Sequence, residues 1–507
     1  MKNKLLEGSL ILIVASLVCK VLGAVYRIPL SNILGAEGIG VYQMIFSVFS
    51  LALIVSSGGV SVTVSHQVAK VLASGQGSTK AIFLRGFIYS LVSSLVFAVL
   101  FLLMGEKIAA FQGNSLGTSG YAAMAICLVF ASLIAPFRGL FQGHQNMLPT
   151  AISQMIEQIF KLVLGLAFAS YFIKYGLSQG VMGAFLGIVI SEFLALLFLA
   201  INSKKTRVFK VYPTPLKQSF WKTNSVITLS ILVVPLITAI DSFLVVNLLS
   251  TYLDRSYATA LYGLQSGIVS SLINFPVVIS ISISLALLPN LSYLLSSSLH
   301  LEAKKSLKNV YTALISIVLP FSIAFFVFAK DIFSLLYPTL DENLLNMAVI
   351  LLRVSTLEVF FLALLHVSIS ALQSLDKAAI GVYVLTITGI IKTVLMAIMV
   401  NNPEINILGA AWSSVLFYVI SAAITYFIVK KNVAFSLDKK QVAFCLTLNI
   451  LLALVFLGVN VYFENILAKI CFSGLGVLLV YVLPLYLNNF LNIKAFASNI
   501  FRRTKIE

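Results

Sequence analysis

Two cations stand in the first apolar stretch of the chain. Lys20 and Arg27 both lie within CKVLGAVYRIPLSNILGAEGIGVYQ, residues 19–43. Seven residues is two helical turns, so the pair shares nearly one face, about 10 Å apart along the axis. No acidic residue lies between them, and Glu7 is too far down the helix to pair with either. A charge near the bilayer centre costs at least about 2.5–3.5 kcal/mol. Such a charge should face a protein partner or a wet cavity. Two unpaired cations on one face suit an anionic ligand, above all a phosphate or diphosphate. Arg offers a planar fork to phosphate oxygens, and Lys a mobile point charge. The alternative is structural: Arg27 snorkels to the outer headgroups and Lys20 pairs with a neighbouring helix.

Further charges fall inside apolar stretches. Glu157 and Lys161 are spaced i, i+4 with the acid first, the favourable order for an internal pair. A structural salt bridge and a cavity role stand equal there. Lys392 has Thr388, not an acid, at i−4, which favours a cavity cation. Arg353 and Glu358 are five apart, a poor spacing for pairing. Asp241, in PLITAIDSFLV, and Glu192 are the remaining deep acids. Each is a candidate cation or proton site or a neutralising charge; Glu192 is read as neutralising and Asp241 as the more open of the two. Lys20, Arg27, Lys392 and Arg353 are thus the candidate cations for substrate. Asp241, Glu157, Lys161 and Glu192 are the candidate cavity or coupling residues. Gly58-Gly59 permits a kink or a close backbone approach, and Pro29 a kink in the first span. His66 and His366 sit near span ends and are read as interfacial.

The elements that carry these residues are membrane helices. The chain has 507 residues, 60% hydrophobic and 10% charged, with a mean hydropathy of +1.04. Ordinary soluble domains are about a quarter charged. A span needs roughly 20 apolar residues. Fourteen segments qualify, beginning with roughly 8–34 and 40–66 and ending with roughly 441–463 and 467–491. The N-terminus resembles a signal peptide, but no small-residue cleavage site follows, so the first segment is expected to be retained. The four cysteines fall in apolar stretches without disulfide or metal spacing.

Orientation follows from the loops. Of the 34 Lys and Arg, five lie inside spans: Lys20, Arg27, Lys161, Arg353 and Lys392. With the N-terminus cytoplasmic, five more fall outside: Lys107, Lys174, Arg255, Lys330 and Lys469. The other 24 face inward, Arg138 among them. Both termini are therefore expected in the cytoplasm of a bacterial cytoplasmic membrane. The net charge of +17 is mostly topology facing an anionic leaflet, and no nucleic acid is expected as a partner.

A weak internal repeat sets the division. Gln142 to Lys161 and Gln373 to Lys392 each span 19 positions, and Gly183-Ala184 parallels Gly409-Ala410. Transporters are often built from such repeats. The expected organisation is a six-helix lobe over 1–202 and a basic cytoplasmic linker over 203–222. A second lobe covers 223–430, and two added helices with a basic tail cover 431–507. No Walker motif, HExxH, G-x-S-x-G or Cys/His metal spacing occurs. No cofactor and no ATP use are expected, which leaves the membrane potential or a monovalent cation as the energy source.

KVLGAVYRIPLSNILGAEGIGVYQ (20–43) and SSGGVSVTVSHQVAK (56–70) resemble the opening of the polysaccharide-export and lipid-linked-sugar flippases. LFQGHQNMLPTAISQMIEQIFKL (140–162) and ALQSLDKAAIGVYVLTITGIIKTVL (371–395) strengthen the likeness. These proteins share a superfamily with multidrug and toxic-compound extruders, and the likeness is strongest to the stage V sporulation protein B group and the lipid II flippases. The resemblance implies two pseudo-symmetric lobes around a central cavity, opened alternately to each side and lined by spans 1, 2, 7 and 8. Arg27 matches the family's cationic first-span position. Lys20 stands where lipid II flippases tend to carry Arg. The cation that some relatives carry in the second span has no counterpart but His66.

The expected activity is flipping of an undecaprenyl-diphosphate-linked sugar for cell-envelope polysaccharide, peptidoglycan or spore cortex. The expected partners are that lipid, membrane lipids and cell-wall synthases, and the chain is expected to act as a monomer. Two alternatives are weighed. A cation-coupled multidrug exporter would want an unpaired acid among the first-half cations, and only Asp241 in the second half keeps it open. A membrane glycosyltransferase or polymer ligase would need a catalytic acid on a sizeable loop, and the outer loops run to about a dozen residues.

Overall fold

A computed structural model describes residues 2–206, 208–212 and 219–488, with side chains from residue 11 onward except residue 13. Lys2, Lys4 and Glu7 have side chains outside that set. Arg207, Pro213, Pro215 and Lys217 of the linker, and Lys494, Arg502, Arg503 and Lys505 of the tail, lie outside the described residues.

The described chain is all helical, apart from one isolated bridge between Ser78 and Val211. The helices of the first half are α1 (Lys2–Leu53), α2 (Val60–Ser74), α3 (Thr79–Phe111), α4 (Thr118–Gly143), α5 (Leu148–Phe172) and α6 (Leu177–Lys205). There follow α7 (Phe220–Leu249), α8 (Arg255–Gly263), α9 (Ser270–Ser296), α10 (His300–Val327), α11 (Ala329–Leu336) and α12 (Glu342–Ser374). The last are α13 (Ala378–Val400), α14 (Leu408–Val433), α15 (Lys439–Tyr462), α16 (Ile466–Gly476) and α17 (Leu483–Leu487).

Thirteen helical stretches among the described residues are long and apolar enough to cross a bilayer. The first, Val14–Ser74, holds 61 residues, about 90 Å of helix at 1.5 Å per residue. That is too long for one crossing of a hydrocarbon core about 30 Å thick. It breaks at Gly35, whose φ of 69° and ψ of 178° are not helical. Only glycine takes that region without strain. Two spans result, so the count is fourteen. The chain turns at Gly35, while Pro29 keeps helical torsions. The second arm then passes through a π-helical turn, Ile54–Gly58, and continues as α2.

Side-chain caps fix several helix starts. Ser78 Oγ accepts from the Ala81 N–H at 3.2 Å at the head of α3, and Asp341 Oδ1 from Leu344 N–H at 2.8 Å at the head of α12. Each satisfies a backbone donor that the helix leaves orphaned.

By packing, the chain forms two compact units, Met1–Ser271 with Thr393–Ala410 and Leu272–Lys392 with Ala411–Glu507. The first unit therefore carries α7 and α8 along with α1 to α6. Small residues explain that grouping. A Cβ on Gly40 would stand 2.1 Å from the Thr259 carbonyl oxygen, and one on Gly263 2.1 Å from that of Ala36. Backbones can approach this closely only where side chains are absent. Gln43 Nε2 donates to the Ser266 carbonyl at 2.7 Å, within a second π-helical turn, Leu264–Val269. Gln112 Nε2 donates to the Met44 carbonyl and to Ser242 Oγ, each at 2.9 Å, which ties α7 to the second arm of α1.

One core of this unit joins Val60, Val64, Val68 and Val71 of α2 to Ile134, Phe137, Leu140 and Phe141 of α4. The 4-4-3 spacing of the valines lays them along one helical stripe. In the second unit, Cys445, Leu448, Leu452 and Phe456 of α15 pack with Val327, Tyr481 and Leu485.

The described part of the linker is strapped to the first unit. Thr79 Oγ1 donates to the Val208 carbonyl at 3.1 Å, Thr79 N–H to the Lys210 carbonyl at 2.9 Å, and Tyr212 N–H to the Gly77 carbonyl at 2.8 Å. Val208 is buried in the valine core.

Candidate functional site

The first arm of α1 and helix α5 run side by side in the same direction. Ser16 Oγ donates to Gln154 Oε1 at 3.3 Å, Cys19 Sγ lies 3.7 Å from Met155 Sδ, and Gly23 faces Gln158. Tyr26 continues the seam at Gly165 and Lys161. The seam fixes the rotation of the first arm. Cys19 and Tyr26 point inward and are buried, Lys20 is exposed and Arg27 partly so. Among the described residues, no ion pair or hydrogen bond engages the Lys20 ammonium or the Arg27 guanidinium.

The neighbouring charges behave differently. Glu157 does not pair with Lys161, contrary to what their spacing allows. Its Oε2 takes Arg138 Nη2 of α4 at 2.9 Å, both side chains about one-fifth exposed. Arg138 Nε also donates to Ser153 Oγ at 3.0 Å. The short turn between α4 and α5 folds Arg138 back beside Glu157, and a rigid guanidinium with two oxygen partners outcompetes a mobile lysine. Lys161 instead stands over aromatic rings, 5.4 Å from the centroid of Tyr26 and 5.7 Å from that of Phe46. Glu192 of α6 lies in the field of Glu157, Arg138 and Lys161. Arg138, counted by sequence with the inward loop charges, lies near the end of α4, largely buried and paired with Glu157.

The remaining candidates fall elsewhere. Asp241 lies on α7, partly buried, next to Ser242. In the second unit, Lys392 is the cation acting on Glu358, which is only 8% exposed. Arg353 is exposed on α12, its Nε 3.2 Å from the Phe326 carbonyl and its guanidinium 5.8 Å from the Phe326 ring. Gly58 closes the π-helical turn, and Gly59 meets α7 closely: a Cβ there would be 2.6 Å from Thr228 Oγ1 and 2.7 Å from the Asn224 carbonyl. Gly59 is therefore a close-approach position, as the paired glycines allow. No group of three or more His, Cys, Asp or Glu able to hold a metal occurs among the described residues.

Arg138 is the partner of Glu157 that sequence spacing missed. It belongs to another helix, as Lys392 does relative to Glu358, so no local spacing could reveal either proximity.

Outside the membrane, His144 caps the end of α4. Burial holds its imidazole below the usual histidine range, with nearby Lys210 adding to that push and carbonyl contacts opposing it.

Fold and relatives together define a multi-pass membrane transporter. The structure aligns with the lipid II flippase MurJ in an inward closed conformation at a TM-score of 0.71 and 15% identity, over 93% of this chain and 98% of that one. It aligns with an inward-facing multidrug resistance MATE family transporter of the MOP superfamily at 0.67 and 14%, over 82% and 94%. At these identities the likeness is one of fold. The profile of the family described as "Polysaccharide biosynthesis protein" matches residues 5–295, and that of MatE matches 227–398. The chain belongs to the polysaccharide biosynthesis protein family. Stage V sporulation protein B of Bacillus subtilis (strain 168) is 29% identical over 444 residues, 83% of this chain and 82% of that protein. The lipid II flippase MurJ of the same organism is 25% identical over 461 residues, 83% and 81% of the two chains.

Proposed function

We propose that this transporter flips an undecaprenyl-diphosphate-linked sugar from the inner to the outer leaflet by alternating access, with both termini cytoplasmic. The observation that supports this reading is the pair Lys20 and Arg27, two cations on one face of a membrane helix, with no protein partner among the described residues. They replace the water of the diphosphate with fixed charge while the lipid tail stays in oil. The names of the relatives support a lipid-linked substrate. Lys392 and Arg353 are secondary candidates for the same anion, and Asp241, Glu157, Lys161 and Glu192 for coupling.

A negative-inside potential favours outward movement of an anion by about 2.3 kcal/mol per charge per 100 mV. It also favours inward return of an empty cationic site. Export that persists unchanged when the potential is collapsed in vesicles rejects this energy source.

The test is transport of a fluorescent lipid-linked disaccharide-diphosphate in proteoliposomes, comparing wild type with Lys20→Ala and Arg27→Ala. The reading requires wild type to flip the lipid and both variants to fail at normal expression. Equal flipping by all three moves the anion site to Lys392 and Arg353. An inert wild type that exports a cationic dye favours the cation-coupled multidrug reading and makes Asp241 the residue to test.

A further inference from the structure

Gln158 of α5 meets the first arm at Gly23, between the positions of the two cations in sequence. Its Oε1 lies 3.5 Å from where a Cβ on Gly23 would stand. Gly23 is about 4.5 Å along the axis from Lys20 and about 6 Å from Arg27, rotated by about 60° and 40° from them. The Gln158 amide therefore sits at the level between the cations and to one side of their line.

Its orientation is decided by chemistry. Gln158 Nε2 donates to Glu157 Oε1 at 3.1 Å. A carboxylate only accepts, so the NH2 end of the amide must point at Glu157 and the carbonyl end away from it. Glu157 is held in turn by Arg138 through its other oxygen. Arg138, Glu157 and Gln158 form a fixed relay that ends in a carbonyl oxygen aimed at the first arm of α1. Among the described residues that oxygen accepts no hydrogen bond, and Gln158 is only partly buried.

Phosphate oxygens are acceptors in the same way as this carbonyl. A diphosphate held by Lys20 and Arg27 gains nothing from this carbonyl, and a terminal phosphate pressed against it is repelled. A sugar hydroxyl or acetamido N–H next to the diphosphate is a donor and fits. Resting on the diphosphate reading above, we infer that Gln158 is a specificity-determining acceptor that selects sugar-bearing polyprenyl diphosphate over the bare carrier diphosphate. A polar group that the wrong ligand shields from water and leaves unpaired is a source of discrimination. The selection has a transport logic, because the loaded carrier is exported and the empty one is not.

The test uses the full chain in nanodiscs with two soluble short-chain probes, farnesyl diphosphate and farnesyl-diphosphate-N-acetylglucosamine, and reads dissociation constants by thermophoresis. Wild type should bind the sugar-bearing probe at least about tenfold more tightly. Gln158→Met keeps the length and removes the acceptor; Gln158→Asn withdraws it by one methylene. Either should bring the ratio below about threefold, with affinity for farnesyl diphosphate unchanged or increased. If one variant does not fold, the other carries the test. Equal binding of both probes by wild type, or a ratio that survives in a folded variant, overturns the role of Gln158. Binding of neither probe by wild type overturns the diphosphate reading itself and this inference with it.

Discussion

Two sets of charges lie within one packing unit and have opposite fates. On α1, Lys20 and Arg27 stand on one face without a protein partner among the described residues. On α4 and α5, Arg138 and Glu157 meet at 2.9 Å, and Lys161 is absorbed by the rings of Tyr26 and Phe46. The difference is one of supply. The α4–α5 turn brings an acid and a base together, whereas the first arm meets α5 through the uncharged Ser16, Cys19, Gly23 and Tyr26. On the function proposed above, these two charges are kept for an anionic ligand and not for a partner within the chain.

The sharpest break of this comparison is loss of transport without loss of stability. Lys20→Ala combined with Arg27→Ala should reduce flipping of a lipid-linked sugar by about a hundredfold or more. A charge-assisted hydrogen bond contributes roughly 1.5–3 kcal/mol, and each 1.4 kcal/mol is tenfold. The melting temperature should stay within a degree or two of wild type; a large fall would show that the two cations hold the fold together.

The mirror experiment is on the pair that has a partner. Arg138→Ala should destabilise the protein by about 2–4 kcal/mol, because it strands a largely buried carboxylate without its partner. Arg138→Met with Glu157→Leu should cost clearly less than the two single changes added together. Additive losses measured by thermal or denaturant unfolding would deny the coupling.

Lys161→Met probes a weaker contact. It removes the cation from Tyr26 and Phe46 but keeps the apolar stem, so a loss of only about 0.5–1 kcal/mol is expected. A loss as large as that of Arg138→Ala would place Lys161 in the ion-pair network instead.

The smallest effect lies outside the bilayer. His144 is held below the ordinary histidine range by burial. The unfolded chain then binds its proton first as pH falls. Stability is fully present above the ordinary histidine pKa of about 6.5 and declines as pH drops below it toward the lower folded value. Melting curves across that window should flatten in His144→Gln, and an unchanged slope would remove His144 from the account.

Much of this was readable in the sequence. The fourteen spans followed from apolar length alone, since hydrocarbon thickness imposes that length on every crossing. The common face of Lys20 and Arg27 followed from helical periodicity, and the close approach at Gly59 was allowed by the Gly58-Gly59 pair. The break at Gly35 was placed only loosely between two spans, because several glycines there could have served. The i, i+4 rule pointed Glu157 at Lys161 and was overruled by a residue from another helix.

What the sequence by itself determined is the class of structure and the inventory of charges, because bilayer solvation acts on composition and period without reference to any fold. What only the tertiary structure decided is which charged and polar groups stand next to one another. Arg138 reaches Glu157, Lys392 acts on Glu358, and Gln158 is turned by Glu157 toward Gly23, through contacts between helices whose rotation about their axes is set by packing. A local pattern gives the side a residue occupies on its own helix. It does not give the neighbour that packing places opposite it.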